Sequence, residues 1–207
     1  MLYSVCLARK EFSMIEEKDH PRVAVMFAEG LEEVEGLTVV DLLFRAHISC
    51  DMVSIAADCT ITSSHNVKLT CHRSIYDADF SFNDYNMIVL PGGIPGTPNL
   101  RACEPLCEAL KDFAQRGLLI GAICAAPSIL AELGLLDGRM ATSNPGFQHV
   151  LGEHGAHVVA DKPVVADGSF ITSQGMGTAI DFALTIISVL ADDEAVQDVR
   201  TKIVDMR

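Results

Sequence analysis

Uninterrupted apolar runs separated by helix-length segments constrain this chain more than any other feature. Residues 23–27 (VAVMF), 87–90 (MIVL) and 118–123 (LLIGAI) show no polar alternation. A strand that is apolar at nearly every position buries both faces, the pattern of a parallel sheet held between two helical layers. Each run stops at a small-residue break: Gly30 after the first, Pro91-Gly92-Gly93 after the second and Cys124-Ala125-Ala126-Pro127 after the third. Helices are expected over residues 31–45, 99–116 and 125–133. In the first, Leu31, Val34, Thr38 and Leu42 follow helical spacing, and Glu29, Glu32 and Glu33 lie where the helix dipole favours negative charge. Gly117 suits the C-cap of the second, and Pro127 falls in the first turn of the third, where a missing N–H costs nothing.

The remaining segments fit the same scheme. Residues 48–55 (ISCDMVSI) alternate and read as a strand, and residues 60–71 read as a hairpin around His65 and Asn66. Asp167-Gly168 marks a second hairpin, between strands at 164–166 and 170–172. An apolar helix over 176–190 and a polar one from about Asp193 close the chain. Strands alternating with helices predict an α/β fold with a mostly parallel central sheet. In such sheets ligands gather at the carboxyl ends of the strands. That rule selects the segment after Phe27, the loop after Leu90 and the turn after Ile123.

Composition narrows the function classes. The 207 residues favour one large domain, taken as 21–207, with residues 1–20 as a flexible N-terminal extension entering the fold at Pro21. The net charge of −13, with 15 scattered Lys and Arg, argues against nucleic-acid binding, which needs clustered cations. No apolar stretch approaches the roughly 18 residues that cross a bilayer, so no membrane association is expected. Seven cysteines form no regular framework. Cys103 and Cys107 have the spacing of one helix face but lack two further zinc ligands, so neither a metal nor an organic cofactor is called for. Mostly reduced cysteines in a cytoplasmic setting are the expectation.

Cys124 is the candidate nucleophile. A buried strand runs straight into a helix with this one polarisable residue at the junction, and Gly121, Ala122, Ala125 and Ala126 leave room for a sharp turn. The arrangement resembles a nucleophile elbow with Cys in place of Ser. The helix N-terminus is expected to favour the thiolate. The adjacent glycines of Pro91-Gly92-Gly93 can turn backbone amides into a cavity, so the N–H groups of Gly93 and Ala125 are candidates for an oxyanion hole. Glu35, one turn into the first helix, starts from the same sheet edge; a carboxyl beside a thiolate has its pKa raised and titrates with it as a pair. His149, His154 and His157 follow the elbow, and nothing in the sequence prefers one as a base. The segment Gln174-Gly175-Met176-Gly177-Thr178 lacks a full phosphate-loop pattern and reads as a tight turn before the last long helix.

Together these segments resemble the ThiJ/PfpI superfamily, in the branch of the parkinsonism-associated deglycase and its bacterial chaperone-like relatives. The motifs that carry the resemblance are residues 29–35 (EGLEEVE), 89–93 (VLPGG), 122–127 (AICAAP) and 172–178 (TSQGMGT), in that order, within residues 22–190. The resemblance implies a flavodoxin-like three-layer sandwich that forms homodimers. It places the family's nucleophile on Cys124, its protonated glutamate on Glu35 and its pocket amides on Gly93 and Ala125, with Gly92 and Asn144 as further pocket residues. Several relatives carry His where Asn144 stands, so a Cys–His mechanism is not expected. The superfamily's peptidases carry His directly after the nucleophile, where Ala125 stands here, so peptidase activity is not expected either. The function implied is a glutathione-independent glyoxalase or deglycase acting on 2-oxoaldehydes or their adducts. The alternative is a redox sensor or holdase-type chaperone whose Cys124 oxidises to a sulfinic acid.

Overall fold

The computed structural model describes residues 21–206; the proposed extension at residues 1–20 lies outside them. Five parallel strands form the body of the sheet: β1 (Arg22–Phe27), β2 (Ser49–Ser54), β6 (Met87–Leu90), β7 (Leu119–Ile123) and β11 (Phe170–Ser173). The short β5 (Arg73–Ser74) extends one edge, and β10 (Val164–Asp167) pairs antiparallel with β11 at the other. The seven-stranded order is β10-β11-β7-β6-β1-β2-β5. β3 (Thr60–Thr62) and β4 (Lys68–Thr70) form a separate hairpin, and β8 (Met140–Ala141) and β9 (His157–Val158) a separate parallel pair.

Alternation along the strands divides the core in two. Val23, Val25 and Phe27 face one side, where α1 (Glu33–Arg45), α6 (Ala179–Leu190) and α7 (Asp193–Lys202) pack. Ala24 and Met26 face the other, against α2 (Gly96–Ala102), α3 (Glu104–Gln115), α4 (Pro127–Glu132) and α5 (Gln148–Glu153). Successive side chains on a strand point to opposite faces, so an all-apolar strand feeds both clusters at once. The result is the three-layer, flavodoxin-like sandwich expected, and no described helix is long and apolar enough to cross a membrane.

Several boundaries differ from the sequence expectation, each for a local reason. The helix expected over 99–116 is two helices, α2 and α3, separated by Cys103 in an extended conformation (φ −81°, ψ 94°). Pro105 explains the break: inside one continuous helix its ring would meet the carbonyl four residues back, on Arg101. In α1, which starts at Glu33, the buried positions are Glu35, Gly36, Val39, Leu42 and Leu43. Val34, assigned to the apolar face, is 42 % exposed. The last long helix begins at Ala179, after a 3-10 turn over Met176–Thr178. There the Thr178 hydroxyl donates to the Gly175 carbonyl at 2.8 Å, and the Gly175 amide donates to that hydroxyl at 3.1 Å. The β8–β9 pair and α5 had no clear periodic signal, because each element is short.

The chain order sets the location of the crevice. From β1 it passes to β2 on one side and then returns to β6 on the other, so the connections diverge at the β1–β6 boundary. Helices leaving these strands in opposite directions open a cleft above their carboxyl ends. The loop after β6, the start of α1 and the turn after β7 meet there.

Candidate functional site

Cys124 occupies the turn between β7 and α4 with φ 65°, a left-handed conformation uncommon for a residue with a Cβ. Two backbone hydrogen bonds hold it: its N–H donates to the Ser173 carbonyl at 3.0 Å, and its carbonyl accepts from the Asn144 N–H at 2.8 Å. Neighbouring structure therefore fixes a conformation that would otherwise cost about 1–3 kcal/mol. The geometry delivers the sulfur to the strand end, half-buried.

Glu35 reaches the same point from α1. It is only 1 % exposed, and its Oε2 accepts the Gly92 N–H at 2.9 Å. Its carboxylate also accepts from the Met176 amide and shares a hydrogen bond with the Cys124 thiol. The sulfur is further approached by the amides of Ala125 and Gly93. All four residues proposed for the reactive group thus lie together: Cys124, Glu35, Gly93 and Ala125.

Gly92 makes this closeness possible. A Cβ there would stand 2.6 Å from the Cys124 Cβ and 2.7 Å from Glu35 Oε2, separations that real side chains do not tolerate. Asn144 lies nearby, but its side chain serves the chain locally: Oδ1 accepts the Gly146 N–H at 3.0 Å. His149, His154 and His157 are exposed, and the hydrogen bonds to Cys124 come from Glu35, Ala125 and Gly93 instead. The turn after β11, read from sequence only as a helix-capping segment, supplies a wall of the site. A Cβ on Gly175 would lie 3.9 Å from both the Cys124 sulfur and Glu35 Oε1. Its position at the carboxyl end of β11 was the available signal, since that strand adjoins β7.

Electrostatics correct one expectation. Burial pushes the Glu35 carboxyl up to about 7; the direction is the one expected, but its cause is desolvation and not a neighbouring thiolate, since the hydrogen bond with Cys124 lowers it. The Cys124 thiol, however, is pushed up to about 12, first by burial and then by the Glu35 carboxylate beside it, while the Ala125 and Gly93 amides pull it down. The six-residue α4 contributes too little dipole to overcome desolvation and a neighbouring like charge. Between about 7 and 12 the pair therefore holds one proton in a shared hydrogen bond. Chemically this is a thiol with its base already in contact.

At the rim of the site, Glu32, Glu33 and His65 bring three potential ligand atoms within 4.8 Å of one another. His65 Nδ1 lies 3.1 Å from Glu33 Oε2. Against a desolvation that raises it, the Glu33 pKa is lowered first by a hydrogen bond with its own backbone and then by His65, while Glu33 raises the pKa of His65.

Comparison with known proteins agrees with this architecture. The chain is 36 % identical over 175 residues to protein dj-1beta of Drosophila melanogaster, covering 84 % of this chain and 92 % of that one. It is 30 % identical over 179 residues to the glutathione-independent glyoxalase DJ-1 of Schizosaccharomyces pombe, covering 84 % and 93 %. The solved structure of oxidized Toxoplasma gondii DJ-1 superposes with a TM-score of 0.83 at 29 % identity, over 90 % of this chain and all of that one. The sequence pattern of the DJ-1/PfpI family matches residues 21–189, and the chain belongs to that family.

Proposed function

We propose that this protein is a cysteine-dependent, glutathione-independent glyoxalase that converts 2-oxoaldehydes to 2-hydroxy acids and acts as a deglycase on their adducts. The observation that carries the reading is the Cys124–Glu35 contact with the Gly93 and Ala125 amides around the sulfur. A relative named as a glutathione-independent glyoxalase supports the reaction class.

With methylglyoxal, Cys124 sulfur bonds to the aldehyde carbon as its proton passes to Glu35. A free thiolate never has to persist, so the raised thiol pKa does not forbid attack. The new oxyanion is met by amide donors, the arrangement that stabilises charge developing at a carbonyl oxygen. Protonated Glu35 then neutralises that oxygen, giving a hemithioacetal. The carboxylate next moves the proton from the former aldehyde carbon to the ketone carbon by way of an enediol, leaving a lactoyl thioester. Water hydrolyses the thioester, releasing lactate and restoring the thiol. Asn144 and Gly92 border the pocket in this scheme, no cofactor enters, and the working form is a cytoplasmic homodimer, as the family resemblance implies.

The test is lactate formation from methylglyoxal without glutathione by wild type and Cys124→Ser. Multiple turnover by wild type alone is expected. No turnover by either would favour a redox-sensing role for Cys124, for which the oxidized form of a solved relative is the supporting observation. Equal turnover by both would remove Cys124 from the reaction.

A further inference from the structure

We propose that Cys59 and Cys71 are a second reactive pair, which closes a reversible disulfide at the base of the β3–β4 hairpin. The register pairs Thr60 with Thr70, so the next opposed residues outward are Cys59 and Cys71. The Cys71 N–H donates to the Cys59 carbonyl at 2.8 Å, which continues the ladder through this pair. Opposed residues at such a position have Cα atoms ~5.5 Å apart. A disulfide spans Cα separations of about 4.4–6.8 Å, a range that includes such a pair. Both residues are free thiols here, Cys71 buried and Cys59 half-buried. Proximity also registers electrostatically: burial and then the Cys59 sulfur push the Cys71 thiol up to about 12. Cys103 and Cys107 lie one turn apart, but the Cys107 thiol already donates to the Arg101 carbonyl at 3.3 Å.

A small-molecule disulfide is the co-reactant. The more accessible Cys59 attacks it as the thiolate, forming a mixed disulfide and expelling one small thiolate. The Cys71 sulfur then attacks the Cys59 sulfur, expelling the second. Two protein thiols lose two electrons and their protons, and the reagent becomes two small thiols.

The staple acts on the site through a short chain of hydrogen bonds. Gly30 N–H donates to the Thr62 carbonyl at 2.7 Å, and Ser64 N–H donates to the Leu31 carbonyl at 2.8 Å. Glu32 N–H, next along, donates to the Gly92 carbonyl at 3.0 Å. The hairpin therefore braces the segment that carries Glu35 against the Gly92 loop. Closing its base lowers the freedom of that brace.

The test treats the full-length protein with oxidised glutathione, then digests it unreduced with trypsin and an Asp-directed protease, which separates Cys59 from Cys50. The expected product joins residues 58–68 to residues 69–73, lighter by two hydrogens than the sum of the peptides. Cys59→Ser and Cys71→Ser should each abolish it, and Cys124→Ser should retain it. Amide exchange at Gly30 and Ser64 should slow by ~10-fold or more on oxidation, since closing a short loop restrains local opening. Glutathione retained on Cys59 with Cys71 still free, or a linkage of either residue to another cysteine, would overturn the pair. A formed linkage with unchanged exchange at Gly30 and Ser64 would overturn the brace.

Discussion

Cys50 and Cys124 show how little a raised pKa reveals by itself. Burial pushes both thiols up to about 12, and each has a carboxyl neighbour that raises it further, Asp51 for Cys50 and Glu35 for Cys124. Their surroundings differ in kind. Cys50 lies on β2 beside a surface groove of about 630 Å³ that includes Phe44 and His72. Among the described residues, burial and Asp51 act on its sulfur, with no backbone amide to offset them. Cys124 stands at a strand end in a left-handed turn, with two amide donors and a carboxylate that shares its proton. A protonated thiol becomes a nucleophile when its base and the acceptors for developing charge are already placed, and only one of these two positions meets that condition.

The largest test of the contrast is substitution at both cysteines. Cys124→Ser should lower lactate formation from methylglyoxal by at least ~10³-fold, the scale seen when a nucleophile acting as part of a unit is removed. Cys50→Ser should stay within about twofold, because its sulfur takes no part. A comparable loss at Cys50 would end the distinction.

Glu35→Gln should cost about 10²–10⁴-fold in kcat, the usual contribution of a positioned acid–base group, while Glu33→Gln at the rim leaves kcat within about threefold. Stability should move the opposite way. The folded Glu35 pKa of about 7 lies above the ordinary 4.5, so the protonated form is favoured on folding. That stability is fully present below about 4.5 and is lost as pH rises through about 7, a change of about 3 kcal/mol. At pH 8 the Gln variant avoids the buried charge and should unfold about 1–2 kcal/mol harder than wild type, once a weakened hydrogen bond is subtracted. The pH profile sharpens this further. Wild-type activity should climb through about 7 as Glu35 becomes able to accept the thiol proton, and the residual activity of Glu35→Gln should lack that limb. A limb near 7 in both would assign it to another group.

Gly92→Ala tests closeness itself. A new Cβ would fall 2.6 Å from the Cys124 Cβ and 2.7 Å from Glu35 Oε2, so the pair must separate. Small misplacements of reacting groups cost on the order of 10²-fold in rate, and the forced shift should destabilise the fold by about 1–3 kcal/mol. A kinetically silent Gly92→Ala would mean that the Cys124–Glu35 contact is not what the reaction uses.

What the sequence made legible follows the length scale of the signals. Residues 23–27 and 87–90 carry enough apolar density to mark strands, and the carboxyl-end rule then points to Gly93, Cys124 and Ala125. Glu35 shares an acidic segment with Glu29, Glu32 and Glu33, and what sets it apart is its place one turn into the helix at the same sheet edge, together with the family motif. Burial makes the difference plain: Glu35 is 1 % exposed beneath the Gly92 loop. The thiol pKa was misjudged because helix-end position is visible in a sequence while desolvation is not. The role of the Gly175–Met176 turn stayed hidden for a related reason, as it depends on β11 lying beside β7, a pairing about fifty residues distant.

Asn144 gives the smallest expected effect and the finest discrimination. Its backbone N–H holds the Cys124 carbonyl, and that bond survives any side-chain change. Its Oδ1 caps the turn at Gly146. Asn144→Ala should therefore lower kcat by less than ~10-fold, through loosening of a turn whose cap contributes about 1 kcal/mol. If the loss instead exceeded ~10²-fold with folding intact, the amide would have to touch substrate directly. The contrast between the cysteines would then need a third element, since a carboxylate and two backbone amides would no longer account for what sets Cys124 apart from Cys50.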